Sequence, residues 1–240
     1  MTKEDEYIRF INYVLLKTGG ITFIQDTPEK AITVSFLRKI QSSAETILKI
    51  WENGYDACII ANHMTEGVIL LNWILDDTKR IKDYEDYAFV EYIALIEDNL
   101  IDREELLKEI KQNNVQRFLK KKIKNQNISD EILLNREKYR DSWYKSETTL
   151  KDVSNKIKNE LSQKIVRDIY EMYRISCSYK HYSSCVMPDE HDISDRWNKR
   201  ASVVALRTAA LCLYTALLHT NHFQNDVLDM EDIISKYSQI

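Results

Sequence analysis

Glycine and proline are the scarcest structural punctuation in this chain, with four Gly and two Pro in 240 residues. Hairpins and multistranded sheets draw their tight turns from these residues, so their scarcity argues against an all-β fold and for long helices. Cysteine is sparse too: Cys58, Cys177, Cys185 and Cys212 are scattered, without the short paired spacing of a zinc site. A chain of this length needs no disulfide framework, so the thiols point to a reducing compartment and a cytoplasmic location is expected. The charged start, Met1 to Asp5, runs straight into an amphipathic pattern, and no signal peptide is expected. The most apolar run, Ala57 to Leu75, is interrupted by Asn62, His63, Glu66 and Asn72, which reads as a core helix and not a membrane span. Missing as well are the phosphate-cradling loop Gly-x-x-x-x-Gly-Lys-Ser/Thr, the dinucleotide loop Gly-x-Gly-x-x-Gly and the nucleophile elbow Gly-x-Ser-x-Gly. Most nucleotide-fuelled and hydrolase activities go with them.

What is present is the balance of a globular chain, with apolar residues close to half of the total and a net charge of −4. That charge argues against a strongly basic nucleic-acid coat, while leaving room for a local basic patch. The periodicity predicts helices over 4–17, 28–52, 55–77, 83–98, from about 102, 146–158, 161–181, 194–222 and from 226. Gly19-Gly20 ends the first helix; Thr27 caps the second, with Pro28 and Glu29 in its first turn. Asn53-Gly54 breaks the second from the third, and Asp189 to Asp192 reads as a loop after Pro188. The expected fold is an all-α bundle of about eight to ten helices, with residues 1–54 as an extension packed on 55–240 in one continuous globular unit.

Chemistry concentrates on the helix over 161–181. Ile165, Ile169, Met172, Ser176 and Tyr179 form one stripe turned to the core. Arg174 and His181, two helical turns apart, line up on the opposite side, where Tyr170, Cys177 and Ser178 join them and Arg167 stands at the edge. An Arg supplies permanent charge in a planar fork, and a His titrates near neutrality. Together they suit a phosphodiester, above all that of RNA, whose own 2′-hydroxyl is the nucleophile. The alternative is an ordinary solvated helix face.

The run Arg174-Ile175-Ser176-Cys177-Ser178-Tyr179-Lys180-His181 resembles the Arg, four to six residues, His motif of the HEPN superfamily, all-helical proteins that include many metal-independent ribonucleases. The resemblance implies an HEPN-like core and a homodimer in which two copies of the motif form one RNA-cutting cleft. Many of these nucleases carry a polar residue after the Arg, where this chain has Ile175. From Tyr55 to His222 the chain is similar to the bacterial domain-of-unknown-function family 5677. That likeness rests on Glu66 and Trp73 in the apolar helix, the Trp143 segment, and Tyr170, Tyr173, Arg174 and His181 before a last long helix. It implies fold and helix order, and no activity.

The leading expectation is thus a metal-independent endoribonuclease in bacterial stress or phage defence, with neither metal nor cofactor. His181 would be the acid or base, Arg174 the charge stabiliser, and Tyr170 and Ser178 would orient them. A cognate regulatory protein, as in toxin–antitoxin pairs, is an expected partner. Lys120, Lys121, Lys122 and Lys124 offer a sequence-independent RNA clamp, or simply a solvated helix end. Tyr84, Tyr87 and Tyr92 suit base stacking or helix packing equally. Two other functions compete: a non-enzymatic dimerisation module using the same face, and a small-molecule or nucleotide sensor using Asn62, His63 and Glu66 as a shared helical face. His219 and His222 read as polar residues favoured at a helix C-terminus, with metal binding the lesser alternative.

Overall fold

The helices begin where local chemistry starts them. In the computed structural model, which describes residues 2–84, 149–158, 160–180, 191–220 and 230–239, Thr2 and Asp5 form a reciprocal capping box at the start of α1 (Lys3–Gly19). Thr27 accepts from the Lys30 amide at the start of α2 (Pro28–Ile50), with Pro28 in the first turn as expected. There follow α3 (Gly54–Leu75), α4 (78–84 as described), α5 (Leu150–Asn155), α6 (Glu160–Lys180), α7 (His191–Thr220) and α8 (Met230–Ser238). The protein is all-α: 87% of the described residues are helical and none lies in a strand.

Several boundaries differ from expectation, among them the end of α5, which stops at Asn155 and does not run to 158. The third and fourth helices do not run to 77 and from 83; α3 stops at Leu75 and α4 is under way at 78, because the Asp77 carboxylate accepts the Lys79 amide and starts a new helix there. Helix α7 begins at His191, inside the expected loop, since nothing between His191 and Ser194 breaks a helix and Asp192 suits a first turn. The helices expected over 85–124 lie outside the described residues, as does the Trp143 segment.

The chain divides into two units, Met1–Trp73 with Ser154–Ile240, and Ile74–Val153. In the second, Arg80 pairs with Asp76 one turn away at 3.4 Å, and Thr149 caps α5 by accepting the Asp152 amide. In the first, α7 is the hub, packing against α1, α2, α6 and α8. Its buried positions alternate small and large: Ala201, Ala205, Ala209, Ala210 and Ala216 with Leu206, Leu213 and Leu217. The alanines let neighbouring backbones come close, and the leucines fill the space between. Helices α3 and α7 have the length and apolar composition to cross a membrane, and most of each is buried inside the protein, as in a core helix.

One corner shows how tightly the hub is joined. Asn198 of α7 reaches the break between α2 and α3, where its Oδ1 accepts the Gly54 amide at 2.8 Å and its Nδ2 donates to the Glu52 carbonyl at 2.7 Å. It satisfies an orphan donor at the start of α3 and a carbonyl just past the end of α2. Glycine at 54 is required by approach, since a Cβ there would lie 2.2 Å from the Asn198 carbonyl oxygen and 2.5 Å from the Ser202 amide nitrogen. A similar network holds α1 to α2. Arg38 donates to the Ile21 carbonyl at 2.9 Å and to Gln41, which donates in turn to Thr18, and the Arg38 guanidinium covers the Phe23 ring.

His219 departs from its expected role. It is half-buried, and its Nε2 lies 2.9 Å from Asn72 Oδ1, while Asn72 Nδ2 donates to the Val68 carbonyl. Asn72 Oδ1 can only accept, so Nε2 carries the proton. Burial pushes the His219 pKa down to about 4, so the ring is neutral and is no cation at a helix end. An unfolded chain binds the proton near 6.5 and the folded chain only near 4, so stability is lost as pH falls through that window. We expect urea unfolding at pH 4.5 against pH 7 to reveal a loss of about 2–3 kcal/mol from this group. His219→Gln, which keeps a donor for Asn72, should flatten that part of the pH dependence.

Candidate functional site

Helix α6 carries the motif, and its burial follows the predicted stripe: Ile169, Met172, Ser176 and Tyr179 are buried, and Ile165 is half-buried. Arg174, on the far side of that stripe, is exposed, as are Arg167 and Glu171. The buried sector is wider than expected, because α6 packs against α3 as well as α7. Cys177 belongs to this added flank and not to the solvent face. Asn62 of α3 is 1% exposed, and its Nδ2 lies 3.3 Å from the Tyr173 carbonyl oxygen and 3.2 Å from Cys177 Sγ.

Around this bond a polar cluster forms between the two helices. The Tyr173 ring stacks on Tyr170 one turn back, centroids 5.8 Å apart and planes 25° from parallel. The Tyr173 hydroxyl pKa is pushed up to about 12, chiefly by burial and then by the neighbouring Cys177 thiol, with smaller contributions from the Glu66 carboxylate and Tyr170. At neutral pH it is therefore a phenol able to donate. The thiol, phenol, carboxylate and amide sit on one flank of α6, adjoining the turn that presents Arg174.

The face expected of Asn62, His63 and Glu66 is graded in burial where α3 meets α6. Asn62 is buried, Glu66 half-buried and His63 exposed, because successive helical residues differ by about 100° and Asn62 is drawn inward by α6. Of the expected site residues, Arg174, Tyr170 and Ser178 lie on α6, the latter two half-buried. His181, Lys120, Lys121, Lys122 and Lys124 lie outside the described residues, as do Tyr87, Tyr92 and His222. Sequence reasoning missed the pairing of Asn62 with Tyr173 and Cys177. The only signal was a polar residue inside an apolar helix, which marks a buried bond without naming its partner.

The anchor has a measurable cost. Asn62→Ala removes two bonds of part-buried groups and is expected to lower unfolding free energy by about 1–3 kcal/mol, as followed by urea titration. In the folded variant Cys177 should also react faster with a maleimide, since the amide that covers its sulfur is gone.

Among known proteins, the model of a family described as "Family of unknown function (DUF5677)" matches residues 30–196. No curated protein and no solved structure matches the chain.

Proposed function

The chain belongs to this family of unknown function, so its activity is read from its own residues, and we propose that it is a metal-independent endoribonuclease of the HEPN type. The observation that supports the reading best is Arg174: a guanidinium exposed to solvent on a helix whose adjoining flank is pinned by Asn62 and stiffened by the Tyr170–Tyr173 stack. Such an arrangement suits a group that must meet a phosphate in a defined place without first being ordered.

In this mechanism the neutral imidazole of His181 takes the proton of the substrate's 2′-hydroxyl, and the 2′-oxygen attacks the adjacent phosphorus. Arg174 neutralises the charge that develops on the phosphoryl oxygens. The 5′-oxygen leaves and takes up a proton from the imidazolium of a second copy or from water. The products are a 2′,3′-cyclic phosphate and a 5′-hydroxyl. Tyr170 and Ser178, one turn before Arg174 and one turn after it, orient these groups. A homodimer would bring two Arg174/His181 pairs to one cleft, in a cytoplasmic setting of stress or phage defence where a cognate protein restrains the toxic activity.

The test uses a labelled RNA with excess chelator. Cutting that leaves a cyclic phosphate, and is abolished by deoxyribose at the cut site, is the expected result; metal-dependent cutting of DNA would overturn the proposal. A second reading, a dimerisation module without catalysis, is favoured by Ile175, which stands 40% exposed beside Arg174 where many such nucleases have a polar residue. That reading expects expression to be harmless with or without His181. The nuclease reading expects toxicity that His181→Ala relieves.

A further inference from the structure

The long hub helix α7 is buried along much of its length, yet one stripe of it is not. Arg196, Arg200 and Arg207 follow one another at intervals of four and seven residues, which places them within about 40° on the helix, and Lys199 stands beside them. All four side chains are exposed. None has an ion pair among the described residues; Arg200 instead lies over the half-buried Trp197 ring, 4.8 Å from its centroid. From Arg196 to Thr220 the chain contains no Asp or Glu at all, although acidic residues outnumber Lys and Arg, 38 to 34, over the whole sequence. From Arg196 onward the positive charge is therefore segregated on this stripe, the only carboxylates of α7 being Asp192 and Asp195 in its first turns.

We propose that this α7 stripe is a binding track for the sugar–phosphate backbone of a single-stranded nucleic acid. At a rise of 1.5 Å per residue the three arginines span roughly 16 Å, room for a few consecutive phosphates. Guanidinium groups pair with phosphate in bidentate fashion, and the Trp197–Arg200 pair offers a flat surface on which a base stacks. An anionic membrane fits less well: a helix lying on lipid needs large apolar side chains next to its cations. The exposed large apolar residues described are Leu16, Ile175 and Ile234, and none is on α7. The track is separate from Arg174 and does not require that the chain cut what it binds.

Binding is therefore measured apart from cleavage, with the full chain and fluorescein-labelled 20-mers of uridine and of deoxythymidine, the second of which the proposed nuclease could not cut. Fluorescence anisotropy should show binding of both that weakens with salt. Neutralising the stripe (R196Q/K199Q/R200Q/R207Q) should raise Kd at least tenfold and reduce the slope of log K against log salt by about 2–3, at roughly 0.7 per phosphate contact on a single strand. Glutamine keeps helix propensity at these exposed positions, and a dichroism melt checks that the variant is folded. A second variant, R196K/R200K/R207K, keeps the charge and should retain the salt slope. Neutralising Lys39 and Lys49, exposed on α2, should change little. Unchanged binding in the glutamine variant, or binding of phosphatidylserine vesicles but of neither oligonucleotide, would overturn the proposal. Loss of RNA cleavage in Arg174 or His181 variants that still bind deoxythymidine normally would leave the track intact and bear on the nuclease reading alone.

Discussion

His181→Ala is expected to slow cleavage of a labelled RNA by roughly a hundredfold or more, because general acid–base catalysis by a placed imidazole contributes on that order. Arg174→Ala should also be slow, by a few kcal/mol of lost transition-state stabilisation, since no other cation of α6 lies within a turn of it on the described face. Arg174→Lys separates two roles of the guanidinium. If charge alone is needed, lysine restores much of the rate; if the planar fork positions the phosphoryl oxygens, it does not. Arg174 is exposed, so its replacement should leave the urea midpoint nearly unchanged, and a lost rate would then be chemical in origin. Full activity in both alanine variants would remove these residues from the mechanism.

Among the four glycines, Gly54→Ala should have the largest effect on stability. The new Cβ would sit 2.2 Å from the Asn198 carbonyl oxygen, 2.5 Å from the Ser202 amide nitrogen and 2.8 Å from Ala201 Cβ. Two of these neighbours are backbone atoms of the hub helix and cannot swing aside, so α3 and α7 must separate. Separation stretches the Gly54–Asn198 bond and the nearby bond from Cys58 Sγ to the Ala201 carbonyl, both of which need the helices close. Overpacking of a core commonly costs about 1–3 kcal/mol, and the loss of these bonds adds to it. We expect a loss of about 3–5 kcal/mol in urea unfolding, enough to leave a marginal domain partly unfolded. By contrast Gly67→Ala, whose Cβ would only touch the Phe36 ring at 3.9 Å, should be neutral or mildly stabilising, because alanine favours a helix where glycine does not. Equal losses in both variants would show that helix propensity, and not approach, sets the need for glycine at 54.

Arg38 and Asn198 show where local reasoning stops. Each is an ordinary polar residue on a helix, and each satisfies backbone groups at the end of a different helix, 17 to 146 residues away in sequence. The orphan carbonyls could be inferred from the helix ends, but the residues that answer them could not, since partner choice depends on which helices lie side by side. The same holds for His219. Periodicity placed it near a helix end, where a cation is favoured; packing beside Asn72 desolvated the ring and removed its charge.

The sequence by itself determined the helical class, the caps at Thr27 and Pro28, the break near Gly54 and the inward stripe of α6, because these depend on turn chemistry and a period of 3.6 residues. It also marked Arg174 as turned away from that stripe, for the same reason. Only the tertiary structure decided that α7 is the hub, that Asn62 grips Tyr173 and Cys177, that His63 is exposed while Asn62 is buried, and that the α7 cations remain exposed. Each of these depends on which faces meet, and a helix's own pattern says that a face is apolar without saying what will cover it.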